Sequence, residues 1–360
     1  MKLFERVLWL FCKLKKVKKT SLVNEPFKVV CFFSNTALGD TIFNTPVFRV
    51  FRQNFPHVKT LALLNPSTAE LFKTDPNIDE FLLYNGKKGS FFRALRELKG
   101  KKPDIVFLLH SNEPQATPLA VLSGAKYIFK LPNLNNIFNA FHSNPPTPYG
   151  QERYVVLNRL EQLAFVGVKS ADTRLRLFLQ DGDFAAVDER LQRRASEKIV
   201  GFQMGASTLS RQWFKQRWAQ LARFILQDEN VRIVLTGSPA ERAMTEELER
   251  ELGEFGGERV LNLAGVFDIR QAAALIARLD ILVTPDTGPL HVAAAVGTPT
   301  IGLFAVAPPI NSNPNFDEHI HKFIKKPRTC EPCVGKNCKF QECMLQISAS
   351  EVYKIFKEMT

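Results

Sequence analysis

The sequence predicts an α/β protein with two doubly wound parallel sheets, and three observations support this. Short apolar runs alternate with segments of helical spacing along most of the 360 residues. The alternation begins near residue 27 and begins again near residue 198, which indicates two units. The chain is also longer than one hydrophobic core usually supports. We therefore predict a basic amphipathic tail (1–24), two Rossmann-like domains (25–170 and 171–348) and a C-terminal helix (349–360).

The strands of the first domain are expected to be buried on both faces, because their apolar residues run nearly without a break. We predict strands at 27–33, 60–64, 80–84, 104–109 and 126–129, and helices at 41–55, 89–98 and 154–165. The stretch 131–149 is rich in Asn and Pro. It predicts a long loop that either shapes a binding site or is a disordered surface segment.

The second domain repeats the pattern and closes with a helix at the C-terminus. Its predicted strands are 198–203, 231–236, 259–263, 281–283 and 300–304. The predicted helices are 214–227, 239–252 and 268–278, followed by one that begins near residue 287 and one at 349–359. We find neither a G-x-G-x-x-G after a strand nor a P-loop, which argues against a dinucleotide dehydrogenase and a P-loop NTPase.

Composition and charge narrow the class of protein. The chain is 45% hydrophobic and 23% charged, which is ordinary for a globular protein. It has no apolar run of roughly 18 residues and no small-residue cleavage site after its first apolar segment, so we expect a cytoplasmic location. The net charge is +12, and residues 1–24 hold seven Lys or Arg and one Glu, which is half of it. That concentration in a tail favours an anionic membrane over nucleic acid as the partner.

One motif joins the strand at 281–283 to the helix after it. Thr284-Pro-Asp-Thr-Gly-Pro-Leu-His291 stands at the carboxyl end of a parallel strand, where open α/β sheets bind ligands. The free N–H groups of the helix start suit a phosphate, Gly288 allows close approach, and His291 can face the same site. Asp286 or Thr287 could also do no more than cap the helix.

Three further polar turns follow predicted strands. Asp40 stands after the first strand, where a carboxylate can take a proton from a hydroxyl group or merely cap a helix. Ser207, Thr208 and Arg211 lie in the loop after 198–203, and hydroxyls with a cation suit a diphosphate, although a solvated Arg is the alternative. Glu241 follows 231–236 and could accept from sugar hydroxyls or complement a helix dipole.

Four cysteines cluster near the C-terminus. Cys330, Cys333, Cys338 and Cys343 have the spacing of a compact zinc knuckle, with Cys in the place of His. The spacing predicts either one structural zinc ion or four reduced thiols.

Together these motifs resemble those of the glycosyltransferase family 9 heptosyltransferases. The family transfers heptose from ADP-heptose to the inner core of lipopolysaccharide, with inversion and without a metal. The resemblance implies the GT-B fold, with two Rossmann-like domains facing each other across a cleft. It places Asp40 where the family has its proposed general base and Glu241 where an acidic residue binds the nucleotide sugar. Arg211 replaces a Lys of the family pattern and Phe214 replaces a Pro, which puts the contact made by Arg211 in question.

The function expected is therefore an inverting glycosyltransferase that uses ADP-heptose and a lipopolysaccharide core acceptor, either Kdo-lipid A or a heptosylated core. No cofactor is expected for catalysis. The alternatives are a family 9 enzyme with another nucleotide sugar, a catalytically inactive relative, and a basic nucleic-acid-binding protein with a Rossmann-like core. A nucleic-acid-binding protein would need a surface of basic and aromatic residues, and we cannot trace one in this sequence. Nucleic acid is therefore not an expected partner.

Because of its tail, we expect the protein to be peripheral on the cytoplasmic face of the inner membrane. The apolar residues of the tail recur every three or four positions, at Leu3, Val7, Leu10, Leu14 and Val17, with Phe4, Leu8 and Phe11 beside them. Trp9 suits the headgroup region, and the lysines 13, 15, 16, 18 and 19 suit anionic lipids. The tail therefore predicts an interfacial helix over residues 1–19, or else a helix packed on the first domain.

Overall fold

The computed structural model describes residues 3–111 and 113–360, and the chain divides into two compact units, Met1–Phe178 and Leu179–Thr360. The boundary comes later than the predicted residue 170, because residues up to 178 pack on the first unit. Arg49 Nη1 donates to the carbonyl of Arg174 at 2.9 Å, and the backbone N–H of Arg176 donates to Thr45 Oγ1 at 3.2 Å. Among the described residues, every helix is too short or too polar to span a bilayer.

The first unit is a five-stranded parallel sheet with helices around it. The strands are β1 (Val29–Ser34), β2 (Lys59–Leu64), β3 (Glu80–Leu83), β4 (Ile105–His110) and β5 (Tyr127–Phe129), in the order β3-β2-β1-β4-β5. The helices are α1 (Leu3–Lys13), α2 (Leu38–Ile42), α3 (Thr45–Asn54), α4 (Pro66–Ala69), α5 (Lys88–Lys101), α6 (Ala116–Ser123) and α7 (Val155–Leu160). All five predicted strands are present, with ends that differ by one or two residues.

Phenylalanine packing holds one face of this sheet. Phe32 of β1 stacks on Phe107 of β4 with centroids 5.4 Å apart, and Phe107 stacks on Phe129 of β5 at 5.5 Å. Phe165, from the segment after α7, covers Phe129 at 4.4 Å. Offset or tilted aromatic pairs of this kind add stability beyond the apolar area they bury.

The predicted helix at 41–55 is two helices in the structure. Pro46 cannot donate a backbone hydrogen bond, so it belongs in the first turn of a helix rather than its interior. Accordingly α2 ends at Ile42, Asn44 is the N-cap residue of α3, and Pro46 lies in the first turn of α3. The short α2 is the element that carries Asp40.

The N-terminal tail packs on the first unit rather than standing apart from it; its residues 1–2 lie outside the described part. Leu8 and Cys12 of α1 are buried in the core of the unit. Phe4 meets Phe91 of α5 edge to face at 5.8 Å, and Trp9 meets Phe141 at 6.3 Å. After α1 the chain is held by backbone bonds, such as that from Thr20 N–H to the carbonyl of Ser143 at 3.1 Å.

The second unit is a six-stranded parallel sheet. Its strands are β6 (Lys198–Gln203), β7 (Val231–Thr236), β8 (Val260–Asn262), β9 (Ile281–Pro285), β10 (Thr300–Phe304) and β11 (His321–Lys325), in the order β11-β10-β9-β6-β7-β8. The helices are α8 (Asp181–Leu191), α9 (Lys215–Ile225), α10 (Arg242–Gly256), α11 (Ile269–Ala277), α12 (Gly288–Val296), α13 (Pro309–Ser312), α14 (Glu342–Leu345) and α15 (Ala349–Met359).

Four elements of this unit were not predicted, namely β11, α8 and the short helices α13 and α14. β11 is an edge strand with exposed positions and a buried His321, so it lacks the apolar run that marks the central strands. α8 begins at a capping box formed by Gln180 and Asp183, and Asp183 also pairs with Arg270 of α11 at 2.6 Å. Polar residues dominate both segments, so hydrophobic periodicity does not reveal them.

The C-terminal helix α15 belongs to the second unit. Ser348 and Glu351 form its capping box, and Val352 and Phe356 are buried in the core of this unit. Tyr353 packs on Phe224 of α9 with centroids 5.5 Å apart.

Candidate functional site

Both sheets contain a point at which the order of strands along the sheet reverses. In the first unit it lies between β1 and β4, whose last residues Ser34 and His110 are paired after a one-residue shift in register. In the second unit it lies between β6 and β9. Ligands of open α/β sheets bind in the crevice outside the carboxyl ends of the strands at such switch points. The predicted residues Asp40 and Asp286 follow β1 and β9, one at each switch point.

Asp40 is held by a buried arginine. Arg159 of α7 has a side chain only 4% exposed, and its Nη2 lies 3.0 Å from Asp40 Oδ1. Arg159 Nη1 donates to the backbone carbonyl of Asp40 and, at 2.7 Å, to Asn44 Oδ1. The N-cap residue of α2 is Ala37, so Asp40 does not cap the helix and the capping alternative is wrong. The arrangement fixes one carboxylate oxygen and leaves the side chain 29% exposed.

His110 stands beside the other oxygen of Asp40. Its Nδ1 lies 3.6 Å from Asp40 Oδ2 and 2.6 Å from Thr36 Oγ1. The imidazole is 46% exposed, so its desolvation is only partial, and the positive charges of Arg159 and Lys130 act in the same direction. These effects lower the pKa of His110 to about 4, although the charge of Asp40 opposes them. The ring is therefore neutral at neutral pH.

A cavity of about 600 Å³ opens at the same sheet edge. Its lining includes His110 and Arg159, so it reaches the residues that contact Asp40. Much of the remaining wall comes from the predicted loop at 131–149, together with Lys130 and, from α1, Glu5. Hydroxyl, amide and charged groups on a partly apolar surface are typical of a pocket for a polar organic ligand.

The loop at 131–149 is ordered, and buried polar groups anchor it. It contains one 3-10 turn and is otherwise irregular. Asn133 Oδ1 accepts from the N–H of Thr147 at 2.7 Å, so its amide nitrogen faces His142 Nδ1 at 3.1 Å. His142 Nε2 lies 3.0 Å from Thr117 Oγ1, which donates to Glu113 Oε1 at 2.7 Å. This chain of hydrogen bonds requires a neutral His142 that carries its proton on Nε2. The disordered alternative for this loop is wrong.

The switch point of the second unit brings two predicted residues together. Arg211 Nη1 donates to the backbone carbonyl of Asp286 at 3.1 Å, and its Nη2 lies 3.8 Å from Asp286 Oδ2. The carboxylate of Asp286 also accepts from Ser312 Oγ at 3.1 Å. Asp286 is buried and does not cap α12, because Thr287 is the N-cap residue. Arg211 is thus fixed beside the start of α12, with about a third of its side chain exposed.

The start of α12 has the features of an anion site. Gly288 is its first residue, and His291 is buried in its first turn. Thr287 makes no capping bond; its hydroxyl lies 3.2 Å from Thr284 Oγ1. The first N–H groups of a helix have no carbonyl partners within it, and the helix dipole adds partial positive charge there. The nearby Arg211 adds a full positive charge.

Glu241 has a structural role that the sequence left open. Its Oε2 accepts from the N–H of Ser238 at 2.6 Å and closes a capping box, while its Oε1 accepts from Gln203 Nε2 at 3.2 Å. The side chain lies over Gly205, where a Cβ would come within 1.6 Å of Oε1. Gly205 is therefore required for this approach. A carboxylate has further acceptor sites, so a contact with sugar hydroxyls remains a prediction.

The remaining residues of the loop after β6 divide into exposed and structural ones. Ser207 is exposed, and Thr208 is half-buried with its hydroxyl 3.2 Å from Ser210 Oγ. Trp213 is buried against Trp218, and its Nε1 donates to the carbonyl of Ile347 at 3.0 Å. Trp213 thus anchors the loop to the core, whereas Ser207 and Thr208 are available to a ligand.

The four clustered cysteines do not form a metal-binding group in the structure. Among residues 3–111 and 113–360, no three His, Cys, Asp or Glu side chains are arranged to hold a metal ion. Cys330, Cys338 and Cys343 are half-buried and Cys333 is exposed. Burial raises the pKa of the Cys343 thiol, and the other three cysteines raise it further. The thiols are therefore neighbours, and the zinc prediction rests on their spacing alone.

Sequence reasoning missed Arg159 and His110. Arg159 lies 119 residues from Asp40 and follows the long loop, so no local motif connects the two. His110 could have been found, because it directly follows the strand predicted at 104–109. In a sheet that reverses its strand order between β1 and β4, the residues after both strands meet at one edge.

Comparison with known proteins agrees with this geometry. The family described as glycosyltransferase family 9 (heptosyltransferase) matches residues 139–344, more than half of the chain. The lipopolysaccharide core heptosyltransferase OpsX of Haemophilus influenzae is 24% identical over 358 residues, covering 94% of this chain and 99% of that protein. The crystal structure of a family 9 glycosyl transferase from Veillonella parvula has a TM-score of 0.78 at 21% identity, covering 94% and 99% of the two chains. Escherichia coli heptosyltransferase WaaC with ADP-2-deoxy-2-fluoro heptose has a TM-score of 0.70 at 16% identity, covering 92% of this chain and 100% of that chain.

Proposed function

The chain belongs to glycosyltransferase family 9, the heptosyltransferases, and from that membership we propose that it moves heptose from ADP-heptose to the inner core of lipopolysaccharide. The observation that carries the proposal is the pair formed by Asp40 and the buried Arg159 beside the cavity at the first switch point. The relatives agree with both substrates. OpsX is a lipopolysaccharide core heptosyltransferase, and WaaC has been solved with an ADP-heptose analogue.

Asp40 acts as the general base in this proposal. An acceptor hydroxyl in the cavity gives its proton to the carboxylate as its oxygen attacks the anomeric carbon of heptose, and the bond from that carbon to the diphosphate breaks. Attack on the face opposite the leaving group inverts the configuration. Arg159 holds Oδ1, so Oδ2, on the side of His110, is the oxygen that takes the proton. A positioned base contributes about 100- to 10,000-fold to such a reaction.

The second switch point binds the nucleotide sugar. The diphosphate lies at the start of α12, where the N–H groups of Thr287 and Gly288, the charge of Arg211 and the ring of His291 stabilise the negative charge of departing ADP. Ser207, Thr208 and Glu241 bind hydroxyl groups or phosphate oxygens of the same ligand. Asp286 fixes Arg211 rather than touching the diphosphate, because like charges repel. These protein charges supply the stabilisation that a metal ion would give, so transfer proceeds without a metal.

Product analysis tests the function directly. The protein is incubated with ADP-heptose and a panel of truncated lipopolysaccharide cores, and the products are weighed by mass spectrometry. We expect one core to gain a single heptose, with the rate unchanged by EDTA. UDP-glucose and ADP-glucose serve as competing donors for the alternative that a family 9 enzyme uses another nucleotide sugar. Transfer from one of these donors and none from ADP-heptose would overturn the donor assignment.

We also propose that the enzyme works at the cytoplasmic face of the inner membrane. The support is the excess positive charge of the tail and the lipid nature of the acceptor. Three lysines of the tail, Lys13, Lys15 and Lys16, are exposed and available to lipid headgroups. By contrast, Lys18 pairs with Glu25 at 2.6 Å, and Lys19 donates to the carbonyl of His142 at 2.6 Å. Each exposed basic residue near an anionic leaflet contributes about 1 kcal/mol.

Liposome flotation tests this location. The full chain is expected to float with vesicles that contain phosphatidylglycerol, and salt should weaken the binding because it screens the charges. Replacing Lys15 with Gln should reduce flotation, and replacing all three exposed lysines should reduce it further, whereas replacing the paired Lys18 with Gln is the control matched to Lys15. Equal flotation of all three variants and the parent protein would rule out binding through these lysines.

A further inference from the structure

Helix α1 has two apolar faces, and only one of them is covered. Leu8 and Cys12 are buried, with Phe4 and Trp9 packed beside them against the first unit. The opposite side exposes Leu3, Val7, Leu10 and Phe11, and Leu14 directly after the helix is also exposed, each with 41 to 78% of its surface accessible. A helix of a soluble protein normally has one apolar stripe and a polar outer face. The outer face of α1 therefore fits an apolar partner.

The same helix forms part of the cavity that reaches Arg159. Glu5 lines this cavity. At about 100° per residue, Glu5 and Trp9 lie along one edge of α1, next to its buried face. Arg6 and Lys13 lie between that edge and the outer apolar face, so a basic strip separates the cavity side from the exposed leucines. Lys13 is held there, with Nζ 3.8 Å from the centre of the Trp9 ring.

Exposed apolar residues also lie on the neighbouring elements on both sides of α1. On one side Phe92 of α5 is 66% exposed, and it contacts Phe91, which packs on Phe4. On the other side Leu134 and Ile137 line the cavity and are 47 and 54% exposed. One apolar surface thus runs from α5 across the outer face of α1. Beyond the basic strip, the wall of the cavity contains further apolar residues.

We infer that α1 is a fixed wall of the acceptor cavity, and that its outer face docks on an anionic bilayer so that the saccharide enters the cavity while its lipid anchor stays in the membrane. The occupant of this surface is a lipid bilayer, because large apolar side chains alternate with exposed Arg6, Lys13, Lys15 and Lys16. The inference rests on the proposed function only in taking a lipid-linked saccharide as the acceptor. It differs from a flexible tether, because α1 is part of the core of the unit.

The experiment compares one core saccharide in two forms with purified full-length enzyme. In the first form it is intact in vesicles of phosphatidylethanolamine and phosphatidylglycerol; in the second it is deacylated and water-soluble. Phe11→Glu is the test variant, and Phe255→Glu, at a similarly exposed site in the second unit, is the matched control. Deletion of the tail is unsuitable, because it would remove buried Leu8 and Cys12 from the core.

Phe11→Glu should raise the KM for the vesicle-embedded acceptor about tenfold or more, because a Phe side chain is no longer buried in lipid. Turnover of the soluble acceptor should stay within about twofold of the parent, as should both reactions of Phe255→Glu. Equal loss with the two acceptor forms, or no loss with either, would overturn the docking surface. Activity of the parent enzyme on the soluble form reports the proposed function separately.

A second variant tests the wall itself. Glu5→Arg places a longer side chain at the cavity and should raise the KM for both acceptor forms while leaving the KM for ADP-heptose unchanged. Unchanged KM values for both acceptors, in a variant with the parent's thermal stability, would show that α1 does not border the acceptor.

Discussion

Arg159 Nη2 lies 3.0 Å from Asp40 Oδ1, and the two residues are 119 positions apart in the chain. The guanidinium is almost wholly buried, whereas the carboxylate is partly open to solvent. Burial lowers the pKa of Arg159, and the charge of Asp40 is the main opposing effect. The pair therefore holds a charged carboxylate in one orientation at the switch point of the sheet, which is what a general base requires.

The first prediction concerns Asp40. Asp40→Asn should lower turnover by about 100-fold or more, because the amide cannot take a proton from the acceptor. The affinity for ADP-heptose should remain nearly intact, since the nucleotide motifs lie in the second unit. Single-turnover rates with saturating donor, and the donor Kd by calorimetry, are the measurements.

Asn is preferred to Ala at this position. Removing one partner of a buried ion pair costs about 3–5 kcal/mol, because the other charge is left without compensation. Asp40→Ala would thus combine loss of the base with loss of stability, whereas Asn still offers an acceptor oxygen to Arg159. Turnover above a tenth of the parent value in Asp40→Asn would remove Asp40 from the catalytic role.

The second prediction concerns Arg159 as a positioning residue. Arg159→Lys keeps the charge, but an ammonium cannot hold Asp40 and Asn44 with two separate nitrogens. A small displacement of a catalytic group can cost about 100-fold, so kcat should fall by that order while the KM for ADP-heptose stays unchanged. A merely structural role would lower the thermal midpoint and leave kcat of the folded enzyme intact.

The third prediction concerns the diphosphate. Arg211→Ala and His291→Ala should each weaken ADP binding or slow ADP departure, by about tenfold for Arg211 if one charge-assisted hydrogen bond of about 1.5–3 kcal/mol is lost. Arg217→Ala, at a half-buried position of α9, is a control for loss of a positive charge. Unchanged ADP affinity and unchanged turnover in both test variants would place the diphosphate elsewhere.

The central strands and the second switch point were predictable because their signals are local. The apolar runs at 198–203 and 300–304 match β6 and β10, and the residues from Thr284 to His291 run without a break from the end of β9 into the start of α12. The contact between Arg211 and Asp286 follows from topology, since β6 and β9 are neighbours in the sheet. Knowing the strand order would have been enough to predict it.

The first switch point was harder to predict because its parts are distant in sequence. Asp40 was found through its motif, but Arg159 reaches it from α7, after an irregular stretch of some twenty residues. The tail was correctly predicted to be amphipathic, yet its stripe divides between two faces. Spacing alone could not show that Leu8 and Cys12 turn to the core while Leu10 and Leu14 remain exposed.

The fourth prediction concerns the cysteine cluster. If the spacing of Cys330, Cys333, Cys338 and Cys343 reflects a structural site, protein purified without chelator should hold one zinc per chain by elemental analysis. Binding would require the thiols to lose their protons and move into tetrahedral geometry. Metal-free protein whose thermal midpoint does not change on adding zinc would leave the reduced-thiol interpretation.

The last prediction concerns pH and His142. Burial, with the charges of Lys130 and Lys19, lowers the pKa of His142 to about 3 from an ordinary value near 6.5. The native state therefore keeps the ring neutral, whereas the unfolded chain takes up a proton below pH 6.5. Neutral His142 therefore contributes its full stabilisation of the native state above pH 6.5. This contribution to the free energy of unfolding is lost as pH falls toward 3, at up to about 1.4 kcal/mol per pH unit.

The thermal midpoint of the parent protein should fall between pH 7.5 and pH 5, a range above that in which most carboxylates titrate. His142→Gln should be less stable at pH 7.5, because the bonds to Thr117 and Asn133 are disturbed, but its midpoint should depend less on pH. An equally steep fall in the variant would show that the sensitivity comes from other groups.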